Sequence, residues 1–101
     1  MNSLAKKETF SAYLAQDKIK AKINEMVGGK KGQQFVTAII SAVSTNPSLA
    51  ECDNASIVSA ALLGQALNLS PSPQLGQYYL IPFNDSKRGC KVAQFQLGLI
   101  L

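Results

Sequence analysis

Apolar residues recur three and four positions apart through most of this chain and then switch to every second position near its end. Helices should therefore give way to strands. A short first helix is expected from about Thr9 to Ala15, carrying Phe10, Tyr13 and Leu14. A second should follow from about Lys18 to Val27, with Asp17 as its cap. Ile19, Ile23, Met26 and Val27 make a narrow stripe there, and Gly28-Gly29 ends it. A third, from about Gln34 to Ser44, gathers Phe35, Ile39, Ala42 and Val43 on one side, and Val36 and Ile40 widen that face. Asn46-Pro47 stops it. The fourth is capped by Asp53 and runs from about Ala55 to Leu67, with Ile57, Val58, Ala61, Leu62, Ala66 and Leu67 in one wide stripe. The third and fourth helices are expected to pack on each other.

Ser70-Pro71-Ser72-Pro73 bars the fourth helix from continuing, because each proline lacks an amide proton and restricts the residue before it. Gln77 to Phe83 then reads as a strand, apolar on both alternating faces and so expected to be covered on both sides. Pro82 places it at an edge or at its own end. Asn84 to Gly89 is a polar turn, and Cys90 to Leu97 returns with clean alternation: Ala93, Phe95 and Leu97 one way, Val92, Gln94 and Gln96 the other. The reading is an α+β fold divided into a basic helical arm (1–31), a packed helix pair (32–69) and a β-hairpin (77–101).

Length and a 47% hydrophobic content suit one small domain with its own core. No apolar run approaches the roughly 20 residues of a membrane span and the first residues hold no apolar signal core, so the expected location is the cytoplasm. Cys52 and Cys90 stand in unrelated contexts in a chain without histidine, which favours two reduced thiols over a metal site. With no histidine, no paired carboxylates and no nucleophile beside a base, no catalytic machinery is expected.

The net charge of +4 is unevenly spread. Lys6, Lys7, Lys18, Lys20, Lys22, Lys30 and Lys31 precede residue 32, residues 32–86 hold no basic residue, and Lys87, Arg88 and Lys91 sit together near the end. A packing segment thus lies between two basic ends, a pattern compatible with nucleic acid but also with an ordinary solvated surface. Gly28 to Gly32 lacks the spacing of a phosphate-binding loop and reads better as a flexible basic linker, which makes Lys30 and Lys31 the weaker candidates. The hairpin carries the more concrete chemistry. Single strands are held by positive charge along phosphates, rings against bases and polar groups indifferent to sequence. Lys87, Arg88 and Lys91 offer charge, Gln94 and Gln96 offer amides, and Tyr78 or Tyr79 offers a ring.

One ordered set of residues extends over most of the chain: Asn46-Pro47, Cys52-Asp53, Ser56-Ile57, Ala60-Ala61-Leu62, Leu67 to Leu69, Pro73 to Gly76, Tyr79, Pro82 and Val92 to Gly98. It resembles the N-terminal part of RecT-family single-strand annealing proteins of phages and prophages. Asn54 stands where the family often has proline, and Leu99-Ile100-Leu101 replaces its usual aromatic, basic and glycine continuation. The resemblance implies ATP-independent binding and annealing of single-stranded DNA in homologous recombination, without base specificity and without a cofactor. It implies as partners single-stranded DNA, further copies of the chain, and a phage exonuclease or host recombination protein. It also implies a truncated chain, since the family's members are much longer and its hairpin begins a larger sheet. Two other readings follow from that shortness: a non-catalytic interaction module that mediates subunit contacts, or an inactive prophage remnant, with DNA binding in C-terminal sequence beyond residue 101.

Overall fold

The computed structural model describes residues 9–69 and 76–98; the proline-rich corner, the first eight residues and Leu99 to Leu101 lie outside them. Five helices precede one antiparallel hairpin, an α+β arrangement: α1 (Phe10–Ala15), α2 (Asp17–Met26), α3 (Gly29–Ser44), α4 (Pro47–Ala50), α5 (Asn54–Ala66), β1 (Tyr78–Asp85) and β2 (Cys90–Leu97).

The helix starts follow local chemistry. Thr9 caps α1 through its side-chain oxygen, which accepts from the Ala12 amide at 3.1 Å. Asp17 does not cap α2 as the sequence suggested. It is the first helical residue, where its negative charge still faces the positive helix end, and Gln16 occupies the cap position without a side-chain capping bond. Gly28 to Gly32 is not a linker either. Gly28, at φ 81°, turns the chain sharply, the Gly29 amide donates to Asn24 Oδ1 at 3.2 Å, and α3 begins at once with Lys30 and Lys31 in its first turn. Asn46 caps α4, accepting from the Leu49 amide at 3.2 Å, and Pro47 stands at its first position, where a missing amide proton costs nothing. This single turn buries Leu49. Asp53 caps α5 as expected, its Oδ2 accepting from the Ser56 amide at 3.1 Å.

Phe10, Leu14, Ile19, Ile23, Phe35, Ile39, Val43, Leu49, Ile57, Ala61, Leu62, Tyr78 and Leu80 form one continuous core. Four members of the predicted stripes stay outside it: Ala42 is half-buried, and Met26, Ala66 and Leu67 are exposed at the ends of their helices, where no other described element covers them. Although α3 and α5 share this core, the element lying closest along α5 is the hairpin, β2 above all. The two are fastened at the start of the helix. The Asp53 amide donates to the Lys91 carbonyl at 2.9 Å, and the Ala93 amide donates to Ser56 Oγ at 2.9 Å. Both Lys91 and Ala93 therefore direct their backbone groups away from β1, which fixes the hydrogen-bonding phase of the hairpin. Pro82, opposite Ala93, falls at a position where β2 asks for no proton from it.

Tyr78 is the largest side chain fully enclosed. Its ring lies against the backbone of Gly64 and tilts against Phe95 with centroids 5.2 Å apart, and its hydroxyl donates to the Ala61 carbonyl at 3.3 Å. Burial disfavours the phenolate and pushes the Tyr78 pKa up to about 12. Below pH 10 the phenol is protonated in the folded and unfolded chain alike and contributes no pH dependence. Between pH 10 and 12 only the unfolded chain loses the proton, so stability falls as pH rises, by at most about 1.4 kcal/mol per unit. Tyr78→Phe should abolish this part of the alkaline loss, which urea midpoints at pH 8 and pH 11.5 for both proteins will measure. At pH 8 the phenylalanine variant should be about 1 kcal/mol less stable through the lost hydrogen bond.

Candidate nucleic-acid interface

The pleat of the hairpin sorts its residues between two faces. Tyr78, Leu80 and Pro82 lie opposite Leu97, Phe95 and Ala93 on the face toward α5, whereas Tyr79, Ile81 and Phe83 lie opposite Gln96, Gln94 and Val92 on the outer face. The sequence suggested that the first strand is covered on both sides. The described residues place helices behind one face only, and Tyr79, Ile81 and Phe83 remain 43%, 43% and 42% exposed. The outer face is thus a surface of one phenol ring, one phenyl ring and an isoleucine facing two amides and a buried Val92, with Gln96 Nε2 donating to the Leu97 carbonyl at 3.5 Å.

Beyond its end the turn is shaped by Asp85, whose Oδ1 accepts from the amides of Lys87 and Arg88 at 3.1 and 3.3 Å. The Gly89 amide donates to the Asp85 carbonyl at 2.8 Å, and Gly89 takes φ 69°, a left-handed backbone that closes the four-residue loop without a Cβ clash. The three hairpin cations are not equally available. Arg88 pairs with Asp53 Oδ2 at 3.4 Å, and Lys91, which stands on the α5 side of β2, pairs with Glu51 Oε1. Each pair is partly exposed and worth no more than about 1 kcal/mol to stability, yet each places a carboxylate where a phosphate would have to compete. Lys87 is exposed and forms no ion pair among the described residues.

The structure therefore brings Tyr79, Gln94 and Gln96 together on the outer face, sets Lys87 and Arg88 at the turn beyond it, and turns Lys91 to the opposite side. Of the two tyrosines only Tyr79 can meet a base, since Tyr78 is core. The alternation that sorted Gln94 and Gln96 outward also sorts Ile81 and Phe83 outward, a consequence legible in the spacing once the exposed face is known. The engagement of Arg88 and Lys91 by Asp53 and Glu51 had no signal in the sequence, because the acidic and basic partners are 35 to 40 positions apart along the chain. Cys52 is buried and Cys90 exposed, both as free thiols. Among the described residues no helix is long and apolar enough to cross a membrane.

These features define an α+β domain that presents an aromatic and amide hairpin face beside a basic turn. The chain belongs to the RecT family: the model of that family matches residues 33–101, from the first turns of α3 through the hairpin. RecT proteins act in DNA recombination as DNA-annealing proteins rather than as classical catalytic enzymes. The chain is also similar to the uncharacterized protein YqaK of Bacillus subtilis (strain 168), with 32% identity over 74 residues. The match covers 73% of this chain and 24% of YqaK, so the chain spans about a quarter of that relative's length. No solved structure matches it.

Proposed function

We propose that this chain binds single-stranded DNA and takes part in its ATP-independent annealing during homologous recombination. The observation that carries this reading is the family match over residues 33–101, which includes every residue of the outer hairpin face. On that face Tyr79 stacks against a base, Gln94 and Gln96 donate to phosphate or sugar oxygens, and Lys87 and Arg88 draw the backbone toward the turn. Contacts of this kind leave the pairing edges of the bases free, as annealing requires. Lys91 adds positive potential from the far side and makes the smallest contribution. A role on DNA supports a cytoplasmic location.

A second reading is favoured by the apolar character of the same face. Tyr79, Ile81 and Phe83 are all exposed on it, and a two-stranded sheet with an open face is a natural seat for a further strand or helix. In this reading the hairpin is an assembly surface and the DNA is held elsewhere. Fluorescence anisotropy of a labelled oligonucleotide separates the two. Tyr79→Ala with Gln94→Ala and Gln96→Ala should weaken binding at least about tenfold, since one stacked base alone is worth about 1 to 3 kcal/mol. Unchanged binding together with a smaller assembly in a sizing run would assign the face to protein contacts instead.

A further inference from the structure

Most of the positive charge that no carboxylate neutralises among the described residues lies on α2 and α3, with Lys87 the one such charge on the hairpin. Lys18, Lys20 and Lys22 on α2 and Lys30 and Lys31 in the first turn of α3 are all exposed, and none forms an ion pair among the described residues, although Asp17 and Glu25 stand on the same helix. Between α2 and α3 runs an open cleft of about 930 Å³, within the size range of ligand sites. Lys20 lines it from α2 and Lys30 from α3, with Asn24, Gln33 and Thr37 as further polar groups. Among the described residues no aromatic side chain lines it.

One wall of the cleft is built against helix stability. Gly32 lies within α3, where glycine is a poor helix former, at a φ outside the left-handed region, and a Cβ added there would meet nothing within 4 Å. Backbone conformation does not ask for glycine at this position, and although Gly32 itself is buried, the space beside its Cα between Lys30 and Gln33 is left unfilled.

From the unpaired lysines and the concave shape, we infer that the cleft between α2 and α3 holds the phosphodiester backbone of the single strand, with Lys20 and Lys30 on successive phosphates. This placement rests on the single-strand binding proposed above. It extends the DNA-contacting surface to α2 and Lys30, which precede the residues matched by the family model. Without rings the cleft does not grip bases, which suits a contact indifferent to sequence.

The test is anisotropy of a labelled twenty-nucleotide oligo-dT with the full chain between 50 and 200 mM salt. Lys20→Ala/Lys30→Ala should reduce the log–log salt slope by about 1.4, the value for two lost phosphate contacts on a single strand, and weaken Kd at 50 mM at least about tenfold. Lys20→Arg/Lys30→Arg should bind like the wild type. Gly32→Ala adds a readout that a merely structural role would not move: it should raise the thermal midpoint while weakening binding, because it favours the helix and fills the cleft wall. If the wild type binds and the double alanine variant, folded by circular dichroism, keeps its Kd and slope, the placement is overturned and single-strand binding stands. If the folded wild type does not bind at any salt, single-strand binding falls and the cleft assignment falls with it.

Discussion

Tyr78→Ala should lower stability by about 3 to 5 kcal/mol, the cost of removing a large aromatic ring from a site that cannot collapse around the gap. The site is closed on three sides by the α5 backbone at Ala61 and Gly64, by the Phe95 ring and by the surrounding core. A Cβ placed on Gly64 would come within 2.4 Å of the ring, so helix and ring are already in direct contact there. For a domain whose total stability is of the order of 5 to 15 kcal/mol, such a loss removes a large part of the folded population. Because the ring joins β1 to α5, the hairpin should loosen first. Urea denaturation gives the total effect, and amide exchange in β1 and β2 compared with α3 shows where it falls. A loss below about 1 kcal/mol, with hairpin protection intact, would mean that the ring does not hold the two layers together.

Gly98→Ala should be nearly as damaging for a different reason. A Cβ at this position would stand 1.9 Å from the Gly76 carbonyl oxygen and 2.9 Å from the backbone of Gln77. These are main-chain atoms and cannot rotate aside. The Gly98 amide also donates to the Gln77 carbonyl at 2.9 Å, closing the open end of the hairpin. Alanine must therefore break this bond and spread the two chain segments, at a cost at or above the roughly 1 to 3 kcal/mol of ordinary overpacking. Lowered urea midpoints with fast exchange of the β1 and β2 amides nearest Gly76 and Gly98 are expected. A variant as stable as the wild type would show that the two segments separate freely.

Much of the architecture could be read from residue order because local and long-range preferences agree. Asp53 before an apolar run, Asn46-Pro47 after one, and strict alternation from Ala93 to Leu97 each point to the element that forms. Gly76 and Gly98 both fall within the residues that carry the family resemblance, and each has its own physical reason for glycine: φ 62° at Gly76 and the close approach of the Gly76 carbonyl at Gly98. The readings that failed are of another kind. Glycines at 28, 29 and 32 suggested a linker, yet of the three only Gly28 and Gly29 take positive φ, and α3 already starts at Gly29 with Gly32 inside it. Met26, Ala66 and Leu67 matched the helical period but lie where no partner covers them, which periodicity cannot report. The availability of the candidate cations was likewise hidden: three clustered charges at Lys87, Arg88 and Lys91 look like the strongest anion site in the sequence, but folding brings Glu51 and Asp53 against two of them. The scattered lysines of α2 and α3 are left as the larger uncommitted field.

A chain that holds single strands without regard to sequence should bind labelled oligo-dT, oligo-dA and a mixed-sequence strand of equal length alike when titrated without nucleotide at 50 and 200 mM salt. Binding to all three is expected within a few-fold of one another, weakening several-fold or more at the higher salt as phosphate contacts are lost. No binding to any of them by a folded chain at 50 mM salt would contradict it, and would leave the hairpin as a surface for protein assembly alone.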